Sequence, residues 1–335
     1  MLNYLENTKI KQKMSDFIQH AVRQNDLQKL LLEFTDIKNE FPFGQLAYQH
    51  YEAFGGQDKQ AITKLAAGIE LLILSADILD DIEDQDNDSY PWMKCQSGIA
   101  INAADILDDI EDQDNDSYPW MKCQSGIAIN AANVLFVLSF EVFSKLDHAP
   151  ELLNSVYSYS IQSMQGQHLD MTLEPENEQD CLSIMKLKAG SLFVLPCMLG
   201  VILATGSFEK NVEEYAYYLG MAEQLENDYV ALFNKKNIDF KRMQTLPLVY
   251  LKNEFNPSSS DLLSYYQSED KSIGSEELKD KLKESGVQQY VFIMRNLLRN
   301  KFKEAFEILH LKASKKEKLI LFLIGDGEDE HSETS

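Results

Sequence analysis

Apolar residues recur at the spacing of an amphipathic helix along almost the whole chain, and little in the sequence interrupts them. Ile62, Leu65, Ala66, Ile69, Leu72 and Ile73 fall on one helical face, as do Val134, Leu135, Leu138, Val142 and Leu146. With 15 glycines and 8 prolines in 335 residues, breaks are few. They cluster: FPFG at 41–44, GG at 55–56, LEPENEQD at 173–180 and NPSSS at 256–260 read as loops between helices. No long alternation of apolar and polar residues suggests a strand. The expected fold class is all-α.

The longest apolar run, AGSLFVLPCMLGVILATG at 189–206, is marginal for a bilayer and contains Pro196, so a buried core helix is expected rather than a transmembrane segment. The opening residues, MLNYLENTKIKQKMSDF, lack the apolar stretch of a secretory signal. None of the four cysteines sits in a CxxC pair. A reduced, cytoplasmic protein is expected. The final stretch, GDGEDEHSETS at 325–335, is acidic and nearly free of apolar residues, which predicts a disordered tail. A formal charge of −23 argues against nucleic acid as a partner, because phosphate-backbone affinity rests on clustered Lys and Arg. An anionic ligand would need local help, such as a metal.

One segment occurs twice. Residues 76–104, ADILDDIEDQDNDSYPWMKCQSGIAINAA, recur unchanged at 104–132, a tandem repeat with a period of 28 residues. Ser75 against Ala103 and Asp105 against Asn133 break the identity at once on either side. This is the mark of a recent tandem duplication. Architectural repeats come in several diverged copies, so a solenoid is disfavoured.

The repeat carries the aspartate cluster DDIED. Asp77, Asp80, Asp81 and Asp84 fall at i, i+3, i+4 and i+7, along one helical stripe where like charges repel. A solvated acidic helix end is the plain reading of such a run. Here, however, the nearly all-apolar GIELLILSADIL precedes it, so the stripe emerges from a helix that should be buried. Buried carboxylates need a compensating charge, and hard divalent cations prefer oxygen ligands. Metal binding is the better reading.

Further polar groups punctuate helical stretches downstream. QGQHLD at 165–170 supplies Gln167 and Asp170, while GMAEQLENDYVALF at 220–233 sets Gln224 and Asp228 at i and i+4 with Asn227 alongside. Lys188 in MKLKAGSLF stands against an apolar run. A lone lysine there usually snorkels to the surface; beside a metal and a diphosphate it becomes an electrostatic clamp.

In this order the segments resemble the trans-isoprenyl diphosphate synthase superfamily from roughly residue 40 to 320. Glu70 with Asp80, Asp81 and Asp84 matches the first DDxxD motif, and Gly166, Gln167 and Asp170 match GQxxD. Lys188, Ala189 and Gly190 match a lysine before a small-residue pair. The second acidic motif is partial: Gly220, Gln224, Asn227 and Asp228 are present, but Ala231 replaces the last aspartate. Asp239, Lys241 and Thr245-Leu246-Pro247 resemble the closing basic pattern. Chain-elongating members hold isopentenyl diphosphate with basic motifs whose counterparts here read FPFGQLAYQHYEAFGG and QDNDSYPWMK, so chain elongation is disfavoured.

LSADILDDIED, YPWMK, MQGQHLD, LKAGSL, GVILATG and LGMAEQLENDY are similar to the ComQ-type pheromone isoprenyltransferases. That resemblance implies an isoprenoid-synthase helical bundle around a central cavity, spanning 1–324 as one domain with the duplicated insertion within 85–124. It implies Mg²⁺-dependent transfer of a geranyl or farnesyl group from its diphosphate to a tryptophan of a small ComX-type precursor peptide, giving a quorum-sensing competence pheromone. A homodimer is implied as well. Asp80, Asp84, Asp228 and Asn227 are then the expected metal ligands, with Asp81 beside them. Gln167, Asp170, Gln224, Lys188 and Lys235 are the expected substrate contacts. A terpene cyclase, a short-chain prenyl diphosphate synthase, and a helical binding protein whose site the duplication has damaged remain the alternatives.

The two copies have unequal flanks. Copy one follows the apolar KLAAGIELLILSA, and copy two runs into NVLFVLSFEVF. Both flanks are kept if the chain uses residues to about Asp84, loops out one unit, and resumes near Ser125. The excursion should then form a surface helix ending in Asp108, Asp109 and Asp112, which remain duplicate candidates for the metal.

Overall fold

The computed structural model describes residues 4–83, 119, 125–173, 175–233, 245–267 and 273–324. Among them every regular element is helical. Helix α1 spans Tyr4–Ala21, α2 Asn25–Ile37, α3 Pro42–Ala53 and α4 Lys59–Glu83. Then come α5 at Ser125–Phe143 and α6 at Ala149–Thr172. Helix α7, Glu178–Met185, passes through a π-helical turn, Lys186–Gly190, into α8, Ser191–Thr205. The rest is α9 at Lys210–Ala231, α10 at Leu246–Lys252, α11 at Pro257–Gln267, α12 at Ser275–Ser285, α13 at Val287–Glu307 and α14 at Ala313–Ile324.

Three of the four expected loops turn out to hold helix starts. Pro42 and Pro257 open α3 and α11, because the first helical position has no use for the N–H that proline lacks. At α7 the acidic residues Glu178 and Asp180 lie in the first turn, and Asn177 caps it by accepting from the Asp180 N–H at 3.1 Å. The Gly-Gly pair does form a turn, with Gly55 at φ 102°. Leu146 lies beyond the end of α5, yet still packs on the core.

Helix α4 is buried on nearly all sides, against α1, α3, α5 and α8. Ile62, Leu65, Ile69, Leu71 and Ile73 are inaccessible to solvent or almost so. At ~1.5–3 kcal/mol for each fully buried side chain, these five alone contribute roughly 10 kcal/mol. Helix α8 is the expected core helix, with Val194, Cys197, Met198 and Leu199 fully buried between α3, α6 and α9. Two stretches, Gly126–Phe143 and Glu178–Thr205, are long and apolar enough to cross a membrane by composition; most of the second is buried inside the bundle.

The duplication is divided between two helices. Helix α4 continues unbroken through the start of copy one to Glu83, and α5 begins at Ser125 within copy two. The two meet. Ser75, just ahead of copy one, donates its hydroxyl to the Ala132 carbonyl of copy two at 2.8 Å. Ala128, Ala131, Ala132 and Leu135 share a core cluster with Ala66, Leu71, Leu74 and Ile78. The intervening helix expected at Asp108, Asp109 and Asp112 lies outside the described residues, as does the acidic tail at 325–335.

Candidate active site

The α4 stripe reaches the surface of the core near Asp80, whose side chain is 30% exposed. Lys188 comes to it from the π-helical turn. Its ammonium donates to Asp170 Oδ2 on α6 at 2.7 Å and lies 3.9 Å from Asp80 Oδ1. One cation thus ties together carboxylates from two helices. π-helical turns interrupt the regular ladder at a cost and recur at functional sites.

The glycines of the motifs explain how that turn is seated. A Cβ on Gly166 would lie 2.3 Å from the Lys188 nitrogen, and one on Gly220 would lie 3.0 Å from the Ala189 carbonyl oxygen and the Gly190 Cα. Bare α-carbons on α6 and α9 therefore let the turn pass between them. Ser163 adds a hydrogen bond to the Lys188 carbonyl at 3.3 Å.

Helix α9 brings Asp228, 9% exposed, with Gln224 one turn earlier donating to its Oδ1 at 2.7 Å. Burial pushes the Asp228 carboxyl up to about 7, and the charge of Asp170 acts in the same direction, while Gln224 and Lys188 oppose it. The structure thus brings together Asp80, Asp170, Lys188, Gln224 and Asp228. Gln167 lies on the same helix as Asp170, and Asn227 is about 100° around α9 from Asp228. Asp81 lies next to Asp80 in the last turns of α4. Asp84, Lys235, Asp108, Asp109 and Asp112 fall outside the described residues.

Among the described residues no three His, Cys, Asp or Glu side chains are close enough together to form a metal cluster. The donor set is nonetheless suited to magnesium. It consists of carboxylate and amide oxygens without thiolate or imidazole, which is the ligand type of a hard cation. A bound cation would also favour the ionised form of Asp228, which burial alone opposes.

The sequence reading missed Lys38. At the end of α2 it reaches Glu70 Oε2 at 3.0 Å and Asp77 Oδ2 at 3.7 Å. Asp77 is pushed up to about 7 by burial, against the pull of Lys38 and with the charges of Asp81, Glu70 and Asp80 adding to the rise. A lysine in the short linker between α2 and the proline-led helix α3 carries no periodic signal, and tertiary folding alone turns it inward.

The polyprenyl synthetase family model matches residues 100–280. The chain belongs to the polyprenyl synthetase family. It is 43% identical to the tryptophan prenyltransferase ComQ of Bacillus subtilis subsp. natto (strain BEST195) over 321 residues, covering 96% of this chain and 93% of that protein. With the tryptophan prenyltransferase ComQ of Bacillus subtilis (strain 168) it shares 35% over 312 residues, 91% and 94% of the two chains. It is a ComQ-type member and a prenyltransferase.

Solved structures agree on the fold of this prenyltransferase. A geranylgeranyl pyrophosphate synthase superposes with a TM-score of 0.73 at 17% identity, covering 96% of this chain and 97% of that one. The synthase from Corynebacterium glutamicum, complexed with isoprenyl diphosphate and magnesium, gives 0.73 at 15% identity, covering 95% and 97%. The all-α isoprenoid-synthase fold is thereby established. The family match takes in the copy-two aspartates, which are contiguous with the motifs downstream, whereas the buried face of α4 runs into copy one.

Proposed function

We propose that this enzyme breaks the allylic C–O bond of geranyl or farnesyl diphosphate and passes the prenyl group to the indole ring of a tryptophan in a small precursor peptide, yielding a quorum-sensing pheromone. The observation that carries the reading is the Lys188 ammonium, 2.7 Å from Asp170 and 3.9 Å from Asp80, in a site whose relatives are tryptophan prenyltransferases.

Asp80, Asp84 and Asp228, with Asn227, would hold Mg²⁺, which when bound offsets the charge of the diphosphate oxygens. As the C–O bond breaks, its electron pair leaves on the diphosphate, and Lys188 stabilises the growing negative charge, with Lys235 as a second cation. Asp170 holds the Lys188 ammonium in place, and Gln167 lies one helical turn from it as a further substrate contact. Gln224 fixes the Asp228 carboxylate through its amide. The indole supplies the electron pair for the new carbon–carbon bond, and loss of a proton discharges the ring. No protein nucleophile is required.

Burial of α8 supports a cytoplasmic enzyme. Val137, Tyr157, Ile161 and Met164 leave an apolar face on α5 and α6, joined by the Phe140–Tyr157 ring stack at 5.3 Å. A homodimer would cover it, and light scattering on the wild type and on Ile161→Glu tests this.

Mass spectrometry of a precursor peptide co-expressed with the enzyme tests the reaction. A peptide heavier by one geranyl or farnesyl group, modified at tryptophan, is expected. Cyclic hydrocarbon formed from farnesyl diphosphate alone, with the peptide unchanged, would instead make the enzyme a terpene cyclase.

A further inference from the structure

Two lysines divide the carboxylate stripe of α4. Lys188 meets Asp80 at 3.9 Å. One turn earlier, Asp77 lies 3.7 Å from Lys38, and two turns before that Glu70 lies 3.0 Å from the same ammonium. All three groups are turned inward, with side-chain exposures of 16% for Lys38, 14% for Asp77 and 0% for Glu70. The other Glu70 oxygen accepts the Gly44 N–H at 2.6 Å, in the first turn of α3.

Joining α2, α3 and α4 at this point needs one ammonium and one carboxylate. Glu70 supplies that carboxylate and reaches both neighbours. Asp77 is then surplus to the joint. Taking a second carboxylate out of water costs several kcal/mol before any partner is counted, so its presence one turn from the reacting groups calls for a cause in the chemistry. With every group ionised, the trio carries a formal charge of −1.

We infer that Asp77 is a specificity determinant: together with Glu70 it keeps the Lys38 ammonium engaged and leaves surplus negative charge beside Asp80, so that the site takes one diphosphate and repels a second anionic substrate. The inference rests on the prenyl-transfer reading above and deepens it by naming a residue that decides which acceptor the site admits. An uncharged acceptor such as an indole ring is indifferent to this cluster. A prenyl diphosphate presented as acceptor is not, because its oxygens need cations, and Lys38 is already shared between two carboxylates.

The test is an equilibrium measurement that involves no peptide. The Mg²⁺-loaded enzyme is saturated with farnesyl thiodiphosphate and titrated calorimetrically with isopentenyl diphosphate, at a pH well above the value of about 7 to which burial raises Asp77, so that its carboxyl is largely ionised. Asp77→Asn leaves Glu70 to balance Lys38, and removing one like charge at short range should tighten isopentenyl diphosphate binding ~tenfold or more over the wild type. The gain should vanish in the Lys38→Met/Asp77→Asn double variant. Asp77→Leu gives the same comparison if the Asn variant does not fold. A folded single variant that binds donor normally but gains nothing, or a gain that survives loss of Lys38, overturns the inference. Failure of the wild type to prenylate peptide would overturn the functional reading instead, and is scored in the separate peptide experiment.

Discussion

Gly166 on α6 faces the backbone nitrogen of Lys188 so closely that a methyl group on its α-carbon would lie 2.3 Å from that nitrogen. The obstructing atom is backbone, so Gly166→Ala must push the π-helical turn away. Overpacking of this kind costs ~1–3 kcal/mol, and a displacement on the order of 1 Å at a catalytic group lowers the rate ~100-fold. Thermal unfolding should therefore show a folded variant of reduced stability, while diphosphate release falls by a far larger factor. Near-normal release would mean that the turn does not position Lys188.

The proposed reaction gives Lys188 two roles that one substitution separates. In the free enzyme it would compete with a divalent cation for Asp80, which it approaches at 3.9 Å; during reaction it would stabilise the leaving diphosphate. Lys188→Met is expected to bind Mg²⁺ more tightly by calorimetry and yet to turn over ~100-fold more slowly. Weaker Mg²⁺ binding in the variant would show that the ammonium organises the carboxylates and does not compete for them.

The burial of α4 bears on which copy of DDIED is used. To bring copy two into the site, the chain would have to displace side chains worth roughly 10 kcal/mol, more than a site could recover from identical aspartates. Asp80→Ala with Asp84→Ala should abolish prenyl transfer, whereas Asp108→Ala with Asp112→Ala should leave it within about threefold of wild type. Equal losses in a peptide-product assay would mean that both copies serve the reaction.

Much of the fold was legible because helical periodicity is a local property. The spacing of Ile62 to Ile73 marked α4, and the run ending near Gly206 marked α8. The order of DDIED, GQHLD, LKAG and the Gln224–Asp228 pair pointed to Asp80, Asp170, Lys188, Gln224 and Asp228, which the fold brings together. Helix starts were misread as loops where proline and acidic residues punctuate the sequence, since the same residues serve both. Nothing local revealed Lys38, whose partners lie 32 and 39 positions away. The π-helical turn was equally hidden: its need for a bare α-carbon at Gly166 comes from a crossing between separate helices.

His50 supplies a prediction about stability that is independent of the site. Its Nδ1–H donates to the Leu46 carbonyl at 2.6 Å, and its Nε2 accepts from the Tyr215 hydroxyl. Burial holds the ring neutral, with its pKa down to about 4 from an ordinary 6.5. The unfolded chain therefore binds a proton as pH falls through about 6.5, while the native ring stays neutral until about 4. This contribution to stability is fully present above 6.5 and is lost between the two values, by a total on the order of 3 kcal/mol. Asp77 and Asp228 act with the opposite sign, because raised carboxyl pKa values cost stability as pH rises from about 4 to about 7. Comparing variants isolates the histidine. Urea midpoints measured from pH 7 down toward 4 should fall more steeply in the wild type than in His50→Gln, which starts less stable at pH 7. Tyr215→Phe, which leaves Nε2 without its donor, should cost ~1–3 kcal/mol at pH 7. Parallel pH profiles for wild type and His50→Gln would show that the native imidazole takes up its proton as readily as the unfolded one.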